Sequence, residues 1–225
     1  MNYLAIDTSR NSLTVAVGGE GIPVGEERIS AGRKGNSVDG KSVAISFLPD
    51  CALTHSVVLM DEIEKCLEKA GIDKKNIDVF ACAVGPGSFT GIRIGVATVK
   101  ALAYALGKKV LGVTSFDSLA YNVTDGRKKL AVIDARHGNF YACGYSADGK
   151  IDLTAKFIDT NELKALSKEY EVVSDVPIDG FADCVVADVK DGFVKSVEAN
   201  LENASLDVET LVPLYVKKSQ AEEEA

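Results

Sequence analysis

The chain has 225 residues, 46% of them hydrophobic and 26% charged, the composition of a folded protein with one large domain or two small ones. Thirty-three acidic residues against twenty-five basic ones leave a net charge of −8, which argues against tight, autonomous nucleic-acid binding. Nothing at the start reads as a leader, and the longest weakly charged stretch, 90–106, falls short of a membrane span and carries Arg93 and Lys100. A cytoplasmic protein without membrane contact is expected.

The first predicted unit is a hairpin. Tyr3-Leu4-Ala5-Ile6-Asp7 is an apolar run ending in Asp, followed by a polar turn and a second run from Leu13 to Gly18. Residues 30–50, with Gly32, Gly35 and Gly40, read as a long exposed loop or an added hairpin around 43–48. Leu59, Ile63, Cys66, Leu67 and Ala70 then fall on one helical stripe closed by Gly71. A nearly continuous apolar strand is expected over 78–84, where both faces must be covered.

The most distinctive segment follows, Gly85-Pro86-Gly87-Ser88-Phe89-Thr90-Gly91-Ile92-Arg93-Ile94-Gly95, at the end of that strand and the start of a helix over 90–106. It lacks the Gly-Lys-Ser/Thr of a Walker A loop, and its third glycine comes one residue late for GxGxxG. Anion binding at a helix N-terminus and close packing both explain its glycines. Gly91 and Gly95, four apart, with Thr98, Leu102 and Ala105, offer a smooth face to a neighbouring helix. Helix 90–106 is apolar nearly all round, which points to deep burial, to a docked partner, or to both on different faces.

Past Gly107 come a strand over 110–113 and a short helix begun by Thr114 or Ser115. Leu130-Ala131-Val132-Ile133-Asp134 then repeats the opening pattern, with a turn through Arg136, His137 and Gly138 and re-entry at Phe140. Aligning Asp7 with Asp134 places Leu13 on Phe140, and a duplication would let the two carboxylates face one cleft. A helix from about Thr160, with Asp159 and Glu162 as a capping box, precedes strands over 171–174 and 183–187 and a helix over 192–201. The charged end, 217–225, reads as a solvated terminus. Strands alternating with helices, plus a hairpin opening each half, indicate an α/β protein with mixed sheets covered by helices. The lobes are expected at 1–109 and 110–225.

Catalytic cues are scarce. The five cysteines, Cys51, Cys66, Cys82, Cys143 and Cys184, are irregularly spaced and contain no CxxC, so packed reduced thiols are expected. Only His55 and His137 could join them, too few for a zinc site. Ser88 lacks the glycines of a nucleophile elbow. No catalytic residue and no metal ligand is assigned.

Taken together, Ala5-Ile6-Asp7-Thr8-Ser9, Leu53-Thr54-His55-Ser56, the glycine segment, Asp134-Ala135-Arg136 and the closing Pro213-Leu214-Tyr215 resemble the TsaB (YeaZ) family. The resemblance implies a duplicated actin-like ATPase (ASKHA, RNase H-like) fold. It implies a non-catalytic dimerisation subunit of the machinery that places threonylcarbamoyl on N6 of a tRNA adenosine. Its partners would be a TsaD-like catalytic subunit and a TsaE-like ATPase, with tRNA bound through the complex. Asp7, Thr8, Ser9 and Asp134 are the candidates for weak nucleotide binding; no other cofactor is implied. The partner surface is expected at His55, Leu59, Ile63, Gly91, Gly95, Thr98 and Leu102.

The catalytic paralogue binds metal through His-x-x-x-His on its first helix, whereas His55 is followed four residues later by Leu59. Two departures stand out: an insertion of about twenty residues over 30–50, set between the third strand and first helix, and Val57 where the family commonly has an acidic residue. A homodimer is the alternative state of the isolated chain. The alternative function is a stand-alone ASKHA-type ATPase or phosphotransferase; a third is an unrelated anion-binding module using Gly85 to Gly91.

Overall fold

The two apolar runs flanking the first polar turn pair as β1 (Tyr3–Asp7) and β2 (Leu13–Gly18), antiparallel, with Tyr3 opposite Gly18 and Asp7 opposite Thr14. Every residue of both strands is buried, because helices cover the sheet they belong to. The computed structural model describes residues 1–20, 22, 37–38, 41–51, 54–123 and 126–217. The short β3 (Ser37–Val38) forms a hairpin with β4 (Lys41–Leu48). That hairpin is more than an addition: β4 is the third strand of the main sheet, antiparallel to β2 with Leu13 opposite Leu48. The extra length therefore precedes the third strand and does not separate it from the first helix, correcting the expected place of the insertion. Residues 30–36 and 39–40 of that stretch lie outside the described residues.

α1 (His55–Ala70) follows, then β5 (Val79–Ala83), α2 (Phe89–Leu106) and β6 (Lys109–Val113). β5 and β6 run parallel to β1, giving the order β3-β4-β2-β1-β5-β6. Both helices stop at a left-handed glycine, Gly71 (φ 64°) and Gly107 (φ 63°), where the backbone N–H groups that follow reach back to carbonyls of the last turn. α2 is long and apolar enough to span a membrane, with mean hydropathy 1.3, but its Ile92, Val96, Val99 and Ala103 are buried in the core with Leu59, Ile63 and Cys66 of α1. At about 1.5–3 kcal/mol for each large apolar side chain buried, that stripe anchors the helix to the sheet.

α3 (Ser115–Ala120) opens the next part behind Thr114, whose hydroxyl accepts from the Asp117 N–H while Asp117 accepts from the Thr114 N–H. β7 (Lys129–Asp134), β8 (Asn139–Tyr145) and β9 (Ile151–Asp159) form an antiparallel meander. α4 (Thr160–Leu166), β10 (Glu171–Ser174) and the two-residue β11 (Val185–Val186) complete the sheet β11-β10-β7-β8-β9. α5 (Val189–Asn200) begins three residues before the expected start because the Asp188 carboxylate accepts from the N–H groups of Lys190 and Asp191. Gly192 breaks nothing; a side chain there would sit 1.9 Å from the Ser118 carbonyl oxygen, so it serves close helix packing.

The chain forms two compact units, Met1–Val113 with Val197–Pro213, and Thr114–Ser196 with the residues from Leu214. A boundary between 109 and 110 falls inside β6, whose pairing to β5 carries the first unit to Val113. Each unit repeats one arrangement. β4-β2-β1-β5-β6 and β9-β8-β7-β10-β11 share their order and every parallel or antiparallel sense. The register corrects the alignment by one residue: Asp7 faces Thr14 but Asp134 faces Phe140, so Phe140 corresponds to Thr14 and the second turn is one residue shorter.

Candidate functional site

The β1–β2 turn and the glycine segment meet. The Thr8 hydroxyl donates to the Gly91 carbonyl at 2.7 Å, and the Ser88 N–H donates to the Ser9 carbonyl at 2.7 Å. The glycines make this approach feasible. A Cβ on Gly91 would lie 1.9 Å from the Thr8 carbonyl oxygen, one on Gly87 would lie 2.2 Å from the Ser9 carbonyl oxygen, and one on Gly95 would lie 2.6 Å from Thr8 Oγ1. Ser88 caps α2, its hydroxyl accepting from the Gly91 N–H at 3.2 Å. Of the two explanations for these glycines, close packing is the one seen.

The nucleotide candidates of the first unit are drawn into that packing. Asp7 is only 4% exposed; its Oδ1 accepts from the Ser9 N–H (2.8 Å) and hydroxyl (2.6 Å), and its Oδ2 meets the Arg10 guanidinium at 3.1 Å. Thr8 and Ser9 are buried with it. A carboxylate held this way orders a turn and has little left for a phosphate-bound cation. In the second unit Asp134 is exposed and its Oδ1 accepts from the Arg136 N–H at 2.7 Å. That turn has left-handed residues at Arg136 (φ 69°), His137 (φ 55°) and Gly138 (φ 72°), with the Asn139 N–H donating to the Arg136 carbonyl. Positive φ at both central residues is what a tight hairpin turn of this hand demands.

The expected partner residues divide. His55 is buried, its Nε2 3.2 Å from the Ser12 carbonyl oxygen, so it props the first turn. Leu59, Ile63, Gly91 and Gly95 are buried as well, the first two in the core and the glycines on Thr8. These five are corrected: their faces point into the unit and offer nothing to a partner. Thr98 and Leu102 are half-buried at the edge of the outer face.

That outer face has different residues. Phe89, Arg93, Ala97, Ala101 and Ala105, each four apart, are all exposed along α2, with the Arg93 guanidinium 3.7 Å over the Phe89 ring. Tyr104 is 80% exposed, Val57 on α1 is 74% exposed, and Met60 is about half exposed. α1 and α2 pack against each other, so both helices present these side chains on the first unit. The sequence held one cue to this orientation: Arg93, a charge that must stay wet, lies on the alanine row.

The chemistry of the thiols is bland. Cys51, Cys66, Cys82 and Cys143 are buried and Cys184 half-buried, all without disulfides. Burial pushes the Cys66 thiol up to about 12 and the Cys143 thiol to about 11, leaving neither a nucleophile near neutral pH. Among the described residues no three His, Cys, Asp or Glu side chains come together as a metal site. Glu62 of α1 is buried and accepts from the Ser46 hydroxyl of β4 and, at 2.7 Å, from Lys65; these bonds hold its carboxyl below the usual range despite burial.

Comparison with known proteins gives one consistent direction. A family model described as "TsaD: tRNA N6-adenosine threonylcarbamoyltransferase" matches residues 47–173, more than half of the chain. The tRNA threonylcarbamoyladenosine biosynthesis protein TsaB of Buchnera aphidicola is 28% identical over 146 residues, 60% of this chain and 70% of that protein. The TsaB protein of Bacillus subtilis is 30% identical over 142 residues, 63% of this chain and 53% of that protein, so the chain spans about half the length of that relative. A solved structure, YeaZ from Pseudomonas aeruginosa, superposes with a TM-score of 0.68 at 18% identity, covering 95% of this chain and 99% of that one. The fold is thus the duplicated actin-like arrangement, built from two mixed sheets with helices.

Proposed function

The chain belongs to the TsaB (YeaZ) family, and on that premise we propose that it serves tRNA threonylcarbamoyladenosine biosynthesis as a non-catalytic subunit that docks a TsaD-like catalytic subunit. The observation that carries this reading is the exposed outer row of α2, Phe89, Ala97, Ala101 and Ala105 with the single charge Arg93 stacked on Phe89, flanked by Tyr104, Val57 and Met60. Alanines let a partner helix approach closely, and the larger side chains supply apolar area at its margins. An interface of ordinary size buries about 1,200–2,000 Å² in total, with a dry centre and a polar rim. Asp61, Glu64 and Lys65, all exposed, furnish that rim.

Two further features support a supporting role over a catalytic one. Leu59 takes the place of a second helical histidine and is buried in the core. The Asp7 turn spends its polar groups on itself and on α2, which weighs against the stand-alone ATPase or phosphotransferase reading. In this proposal a TsaE-like ATPase and tRNA join through the assembly, in the cytoplasm. A second copy of the chain would cover the same outer face when the catalytic subunit is missing. The test is reconstitution with purified components. Threonylcarbamoyl transfer to tRNA is expected only when the TsaD-like subunit is present, and is expected to fall when this chain is left out. Transfer by this chain alone would overturn the proposal.

A further inference from the structure

We draw no further inference here: the strongest candidate, the cavity of about 830 Å³ in the second unit lined by Lys164, Lys168 and Phe181, carries nothing, because its exposed lysines stand among Glu169, Glu171 and Asp183, its other cations Arg127 and Lys128 are already salt-bridged, and nothing in the structure selects a ligand for a surface of such mixed charge.

Discussion

Replacing Gly91 by Ala builds a methyl 1.9 Å from the Thr8 carbonyl oxygen, a contact between two main chains that no rotamer change relieves. The N-terminus of α2 must then move off the β1–β2 turn. Overpacking of this kind costs about 1–3 kcal/mol, and losing the Thr8 hydroxyl bond to the Gly91 carbonyl adds about 1 kcal/mol. The better helix propensity of Ala returns at most about 1 kcal/mol, which offsets the lost bond, so a net loss of about 1–3 kcal/mol is expected. Gly95→Ala differs in kind. Its methyl would meet only Thr8 Oγ1, at 2.6 Å, and the Thr8 Cβ lies at 3.9 Å. Its net cost is expected near 1 kcal/mol, from displacement of the hydroxyl set against the propensity gain. Thr8→Ala removes that oxygen but not the main-chain carbonyl. In the Thr8→Ala background, Gly95→Ala should become neutral or stabilising, whereas Gly91→Ala should keep the cost of its main-chain clash and lose only the share of about 1 kcal/mol that came from the Thr8 hydroxyl bond. Urea denaturation of the six proteins, followed by far-ultraviolet circular dichroism, measures these differences. An unshifted midpoint for Gly91→Ala, or a Gly95→Ala cost unchanged by Thr8→Ala, would refute the packing of α2 on the turn.

Glu62→Gln should destabilise the first unit by about 1.5–3 kcal/mol at neutral pH, because a buried acceptor of the Ser46 and Lys65 bonds loses its charge. The lowered carboxyl pKa means that this advantage of the parent chain is fully present above the unfolded value of about 4.3 and fades as pH falls through the lower folded value; paired melting curves from pH 7 to pH 3 check the sign. His137→Gly should raise stability by about 1 kcal/mol, since a side chain at φ 55° carries left-handed strain; a lower melting temperature would show that the imidazole contributes more than it strains. Leu211→Ala should cost about 2–5 kcal/mol, because this residue of the returning segment is buried in the core of the first unit, and equilibrium unfolding measures it.

Much of the fold could be read in the sequence wherever pattern and burial agree. β10 was expected over 171–174 and is found there, and α1 and α2 end at the glycines that the helix stripes required. β9 was missed. It pairs with β8 through register shifts around Ala142, Gly144 and Tyr145, and an interrupted register blurs the alternation that identifies a half-buried strand. The pattern over 43–48 fits either a loop or a hairpin, because two-strand signals do not reveal the third partner, here β2. The glycine face of α2 was recognised as smooth but assigned outward. Small residues permit close approach to anything; beyond the cue of Arg93 on the alanine row, it takes the tertiary structure to show that Gly91 and Gly95 meet Thr8 while those alanines meet solvent. The same limit applies to His55, expected on the partner surface: nothing local to it points to the Ser12 carbonyl it serves, 43 residues away.

The most direct test of the docking face is the affinity of Ala101→Arg for the TsaD-like subunit of the same cell. Ala101 is exposed, so the substitution should change stability by no more than about 0.5 kcal/mol. A guanidinium in the middle of an apolar contact should nevertheless weaken association at least tenfold, about 1.4 kcal/mol. Isothermal titration of the parent and variant chains, with melting temperatures to verify the fold, reads both effects at once. The expected result is an unchanged melting temperature with a dissociation constant raised tenfold or more; parent-like affinity in the folded variant would contradict the assignment of this face to the partner.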